Sequence, residues 1–335
     1  MRRGILWLED IEIMDISNAN GAYRFVYGAN YVVAGGKKLW IFLLNGQLVA
    51  CREDFQHIHK MAILPNERVL VEDAQKYELI SLKDGSSIWN VSKFKRDYSY
   101  SHFSISPAFD FAYSIDMRRD TPFATKINLA DGKVETHQIK RTLRTTNDFM
   151  CDSKGGLCVL QTHYTYVEDG TIGENVILRA DFEKSSLWKK FSVSHNWQFV
   201  GEKLACNFVG NTETILTNDL HIYLPASKTI YSAVENSPEF RVPKQPPSFC
   251  NLDVTGRYLQ LGYIWAQCDV VIDLQERRAV AQYAMPNGLP GCVVGEEYWT
   301  SSSQGILRKR FPVWEEMPLR KLTTMFSVPP EGTSV

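Results

Sequence analysis

The chain of 335 residues has no cysteine pair at redox or metal-ligand spacing, no excess of one charge and no long apolar run. Its seven cysteines, at 51, 151, 158, 206, 250, 268 and 292, are odd in number and scattered, and none forms CxxC. That usage excludes a disulfide-stapled scaffold and points to a reducing, cytoplasmic compartment. Cys151 and Cys158 flank the turn-like DSKGG, a spacing at which two thiols could face each other across a hairpin. Two buried thiols on neighbouring strands is the preferred reading. Lysine plus arginine (37) almost cancel aspartate plus glutamate (38), and the net charge of −1 lacks the footprint of a dedicated nucleic-acid binder. No stretch approaches the ~20 apolar residues of a membrane-spanning helix. Arg2 and Arg3 imitate the start of an export signal, but Glu9, Asp10 and Glu12 interrupt the apolar core it needs. GxSxG, HExxH and any long amphipathic helical pattern are missing as well.

What is present is a repeat: an apolar strand, a turn and a second apolar strand. It reads LWIFLLNGQLV around Gly46, YELISLKDGSSIW around Gly85 and ATKINLADGKV around Gly132. It returns more weakly around Ser185, Ser227 and Arg277. These turn residues lie roughly 39 to 53 residues apart, the period of propeller blades. The first full unit holds four β-rich runs, RFVYG, YVVAGG, LWIFLL and QLVACR, joined by tight turns. Five further units repeat it. The fifth is read as QFVGE, KLACNFV, ETILTNDLHIYL and TIYSAV, with Asn211 at an inner turn, and the fourth carries an insertion, VEDGTIGE, that lengthens its middle hairpin.

The seventh unit supplies only three runs, and the spare strand at residues 4–16 would complete it and remove the exposed sheet edges of an open ring. The expected fold is therefore all-β: a single propeller over residues 1–312 with seven four-stranded blades, closed by residues 4–16. The count becomes six or eight if the long fourth or short seventh unit is misread. Residues 313–335 depart from the repeat and are expected to form a surface tail, docked on its own ring or on a partner.

Units such as LISLKDGSSIWNV resemble the repeats of the pyrroloquinoline-quinone-type propeller superfamily, where an apolar strand, an Asp-Gly turn and a strand ending in Trp recur. Trp89 and Trp188 hold that last place and Tyr231 substitutes for it. WD-type repeats match less well, because no Gly-His and Trp-Asp pair recurs. The resemblance spans about residues 20–310 and implies a fold without an activity. The quinone dehydrogenases of that superfamily are exported and often carry adjacent cysteines. This sequence has neither feature, so no quinone and no other cofactor is expected.

Few residues point to chemistry. His57 and His59 in QHIHK would project from one face of a strand, a spacing that can hold a metal, but no acidic or thiol partner lies at motif distance, so no metal site is assigned. His163 and His195 stand without a nucleophile motif. Asp110 and Asp253 are possible axial carboxylates, a role in which turn capping is the ordinary alternative. Basic residues at Lys140, Arg141 and Arg144, at Arg308 to Arg310 and at Arg320 and Lys321 read as solvated edges.

Position is more informative. The loops leading into each innermost strand gather around the mouth of a propeller channel. They carry Arg24, His59, His102, Asn147, Trp197 and Asn251, a mixed polar and aromatic set that suits a protein or peptide surface. Tyr164 and Tyr166 on the lengthened hairpin are further binding candidates. The function expected is that of a non-enzymatic scaffold or assembly subunit whose partner is another protein or peptide, with membrane and nucleic acid set aside. An axial-site hydrolase or lyase acting on a sugar or lactone is the competing reading, and a small-molecule sensor the third.

Overall fold

The computed structural model describes residues 13–14, 24–93, 103–116, 123–138, 145–193, 198–199, 206–233 and 247–314, with short interruptions within the later ranges and at 29. Among the described residues there are strands and turns but no helix. The described strands form seven sheets, antiparallel but for one strand added to the sixth, taken up in chain order. The first sheet is β2 (Arg24–Tyr27), β3 (Tyr31–Gly35), β4 (Leu39–Leu43) and β5 (Leu48–Arg52). The second is β6 (Ile58–Leu64), β7 (Arg68–Asp73), β8 (Lys76–Ser81) and β9 (Ser87–Ser92). The third is β10 (Phe103–Ile105), β11 (Phe111–Asp116), β12 (Phe123–Asn128) and β13 (Val134–Gln138). In each, consecutive strands are hydrogen-bonded neighbours, the meander that the four-run units anticipate.

Burial explains why these runs read as they do. The middle strands β7 and β8 are buried on both faces, so VLV and LI stand as consecutive apolar residues rather than alternating ones, with Glu72, Asp73 and Glu78 buried beside them. The last strand β9 is mostly exposed and accordingly polar. The second sheet thus lies between two others. Val33, Leu39 and Ile41 of the first pack with Ile58, Val69 and Ile80 of the second, and Leu70 and Leu79 of the second pack with Phe103 and Ile127 of the third. First strands also approach one another, β2 with β6 and β10 with β14 (Thr145–Cys151).

One contact recurs at these seams. The turn before the fourth strand holds a left-handed residue in the first three sheets, Gly46 (φ 88°), Gly85 (φ 73°) and Gly132 (φ 73°). Four residues after such a turn, the fourth strand touches the corresponding turn of the next sheet. Ala50 sits under Gly85, and Trp89 sits under Gly132, where an added Cβ would lie 2.9 Å from the indole. The Trp89 Nε1–H donates to the Leu129 carbonyl at 3.2 Å. The sixth sheet inverts the sizes: Arg277 takes the turn position with φ 52°. Its guanidinium lies 4.9 Å from the Tyr231 ring centroid and donates to the Ser232 carbonyl at 2.7 and 3.0 Å.

The fourth sheet contains β14, β15 (Leu157–Val167), β16 (Gly170–Asp181) and β17 (Ser186–Val193). The pairing of β15 with β16 runs from Cys158–Arg179 out to Val167–Gly170, so the expected long hairpin is present. The Cys151–Cys158 hairpin contact is not. Cys151 pairs with Leu157 and Met150 with Cys158, which sends the two thiols to opposite faces; both are buried.

The fifth unit needs correction. QFVGE is not its first strand, because β18 (Gln198–Phe199) pairs with Thr171 and Ile172 of β16. The protruding end of the long hairpin offers an edge that β18 covers. The fifth sheet is instead β19 (Cys206–Phe208), β20 (Ile215–Thr217), β21 (His221–Leu224) and β22 (Thr229–Ser232), so the run ETILTNDLHIYL splits into two strands. Asn211 lies outside the described residues.

The sixth sheet is β23 (Phe249–Leu252), β24 (Tyr258–Tyr263), β25 (Cys268–Asp273) and β26 (Arg278–Ala284), with β30 (Val313–Trp314) added in parallel against Ala281 and Gln282. The seventh is β27 (Cys292–Val294), β28 (Glu297–Ser302) and β29 (Gly305–Arg310). Its outer position is taken by β1 (Ile13–Met14), which pairs with Leu307 and Ile306.

Candidate functional site

Two of the six channel-mouth candidates lie on first strands that contact each other. Arg24 opens β2, and His59 is the second residue of β6, the first strand of the next sheet. The β6–β7 ladder shifts register between Ile58 and Lys60, so His59 is a bulged residue outside the regular pairing. His57 lies in the approach to β6, and its ring stands edge-on to that of His59 with centroids 4.8 Å apart. The His57 and Gln56 N–H groups donate to Asp73 Oδ1 at 2.7 and 3.1 Å, which pins this approach to the end of β7.

Two lysines border this pair of histidines. Lys93, just beyond β9, places its Nζ 2.6 Å from Glu72 Oε1 and 4.8 Å from the Tyr77 ring centroid. Lys60 donates to the Phe103 carbonyl at 2.7 Å, tying the second sheet to the third. Burial pushes the His59 imidazole down to about 4, with Lys93, His57 and Arg24 acting in the same direction and Asp73 opposing them. His59 is therefore a neutral imidazole at neutral pH, able to donate and to accept.

The other candidates divide. Asn147 is also a bulged residue, at the register shift between Thr146 and Asp148 of β14. Asn251 is exposed on β23. Tyr164 and Tyr166 lie on β15, opposite Gly173 and Thr171. His102 and Trp197 lie outside the described residues. Among the described residues no group of three His, Cys, Asp or Glu side chains is arranged to hold a metal. Asp253 caps a turn, accepting from Thr255 N, Thr255 Oγ1 and Tyr258 N at 3.1, 2.6 and 2.8 Å. Asp110 pairs with Ser106 across its own turn.

Sequence reasoning missed Lys60 and Lys93, whose positions depend on how neighbouring sheets meet. It also missed a second polar cluster, in the seam between the sixth and seventh sheets. Asp269 Oδ2 accepts from Gln260 Nε2 at 3.1 Å, from Gly291 N at 3.0 Å and from the Tyr298 hydroxyl. Its Oδ1 is buried without a hydrogen-bond partner among the described residues. Burial raises the carboxyl to about 7 against the opposing pull of those three donors. The signal was present: Asp269 is the one acid in the interior of CDVVID, whose six positions are all buried.

No family model matches the chain, and no curated protein matches it. Solved structures do. A chain of hydrazine synthase from Kuenenia stuttgartiensis superimposes with a TM-score of 0.59 at 11% identity, over 88% of this chain and 96% of that one. An extracellular domain assigned to a one-component system of B. thetaiotaomicron superimposes with a TM-score of 0.53 at 11% identity, over 90% of this chain but only 40% of the other. At such identity the likeness concerns the fold, and the fold it supports is all-β and propeller-like, built of four-stranded antiparallel sheets.

Proposed function

We propose that the seven sheets are the blades of one closed, quinoprotein-like ring, and that this ring is a non-enzymatic cytoplasmic scaffold binding another protein or peptide across the face where its first strands begin. Closure is supported by the pairing of β1, near the start of the chain, with β29, near its end. The quinoprotein-like assignment draws on Trp89 under Gly132. The cytoplasmic placement is argued from cysteines that are odd in number and scattered along the sequence, a usage suited to a reducing compartment. Residues 313–335 are taken as a tail that docks on the ring, with β30 as its first contact.

The observation that carries the binding reading is the placement of Arg24 and His59, from two different sheets, at the starts of first strands that contact each other. A rigid ring that brings side chains from separate sheets to one opening provides a pre-formed surface, and pre-formed surfaces lose little entropy on binding. The test is affinity purification of the tagged protein from its own cells, with mass spectrometry and elemental analysis of the same sample. A stoichiometric protein without metal is the expected result. One metal per chain and no protein would replace this reading with an axial-site enzyme.

A further inference from the structure

We infer that the outer edge of β29 at residues 308–310 is a docking strip for the chain's own acidic residues 10–12, which continue β1 and make the closing strand a charge-paired latch. The inference rests on the closed-ring reading. Among the described residues β1 covers only Ile306 and Leu307 of β29, and the ladder stops short of Arg308, Lys309 and Arg310. Residues 10–12 lie outside the described residues. The register they would continue is set by Ile13, opposite Leu307, and Met14, opposite Ile306. By the same antiparallel count Glu12 falls opposite Arg308, Ile11 opposite Lys309 and Asp10 opposite Arg310.

The backbone and the charges favour this occupant separately. The Phe311 N–H donates to the Glu296 carbonyl at 2.9 Å, on the β28 side of the strand. Backbone groups alternate along a strand, so Ile306, Arg308 and Arg310 turn theirs to the other side, the one that β1 occupies. Pro312 ends the series, because the next outward position has no N–H to offer. Consecutive bases on an edge strand keep most neighbouring strands away. Acids directly opposite reverse that effect, and the register supplies them at Arg308 and Arg310. Within the sheet Arg310 has the same kind of partner: Glu297 stands opposite it on β28, with Oε1 3.7 Å from its Nε. Asp10 would take the mirror position on the other side. A tethered segment also has a high effective concentration, which a free peptide or a second copy lacks.

The experiment is residue-resolved amide hydrogen exchange on the full chain at two protein concentrations. The expected result has a period of two: Asp10 and Glu12, whose N–H groups would point at β29, exchange about tenfold or more slowly than Glu9 and Ile11. Glu12→Arg should return the segment to fast exchange, and Arg308→Glu added to it should restore the slow pattern. Salt at about 1 M should weaken the protection of the unaltered chain. Met14, paired with Ile306, is the reference. A slow Met14 with fast Asp10 and Glu12 overturns the latch and leaves ring closure standing, whereas a fast Met14 removes closure as well. Slow Glu9 and Ile11 would mean a slipped register, and protection that rises with protein concentration would mean that a second copy fills the strip. Either overturns the inference, as does a charge swap that fails to restore the pattern.

Discussion

His59 at the opening and Asp269 in the seam between the sixth and seventh sheets are alike in one respect and opposite in another. Loss of water drives both toward their neutral forms, His59 down to about 4 and Asp269 up to about 7. His59 is half-buried, sits on a bulge and has basic neighbours that reach solvent. Asp269 has no exposure at all, and its donors Gln260 and Tyr298 are sealed with it. A displaced titration is therefore no sign of function by itself. Access separates them: the same desolvation acts on a half-open base at the start of β6 and on a sealed structural clamp in a seam.

The strongest way to break this contrast is to remove each group. Asp269→Ala strips the acceptor from the Tyr298 hydroxyl and from one Gln260 amide hydrogen, both buried, while the Gly291 N–H keeps the Tyr298 oxygen at 2.9 Å. Unsatisfied buried donors cost ~1–3 kcal/mol each, so a loss of about 3–5 kcal/mol is expected in urea unfolding. His59→Asn should cost about 1 kcal/mol or less, since its position is half-open. Comparable losses at both sites would erase the distinction.

The pH dependence of stability sharpens it, because the two groups carry opposite signs. Asp269 has a raised folded pKa, so its contribution is complete below the ordinary carboxylate value of 3.8 and is lost as pH rises to about 7. His59 has a lowered folded pKa, so its contribution is complete above the ordinary 6.5 and is lost as pH falls to about 4. Denaturation profiles of Asp269→Asn and His59→Asn between these limits should each lose one slope and keep the other.

Seams without polar clusters provide the next comparison. Trp89→Ala leaves a void against Gly132 and the Leu129 carbonyl and should cost about 2–3 kcal/mol, measured in the same unfolding assay. Gly132→Ala meets both the left-handed φ of 73° and the indole 2.9 Å away, and about 1–2 kcal/mol is expected. The smallest effect belongs to the rim: Ile88, 48% exposed, should tolerate Ser within about 0.5 kcal/mol.

The fold was legible to the extent that local pattern creates it. Middle strands buried on both faces wrote themselves as apolar runs, and Asn-Gly and Asp-Gly turns fixed the hairpins, so the first three sheets matched their runs within a residue or two. The fifth unit was misread because β18 obeys the protruding edge of β16 rather than its own period. The opening was half legible. Arg24 and His59 follow from position along first strands, but Lys60 and Lys93 owe their places to contacts with other strands and other sheets, which no spacing encodes. Asp269 stood in plain view as an acid inside a buried run, and only the structure supplies its three donors.

The central claim, that the opening rather than the rim or a seam meets the partner, is tested most directly by quantitative capture from cells with Arg24→Gln, His59→Asn and Ile88→Ser compared at equal expression. The account predicts that both opening variants reduce partner recovery about fivefold or more while Ile88→Ser matches the unaltered chain. Full recovery with the two opening variants, or a loss confined to Ile88→Ser, would contradict it.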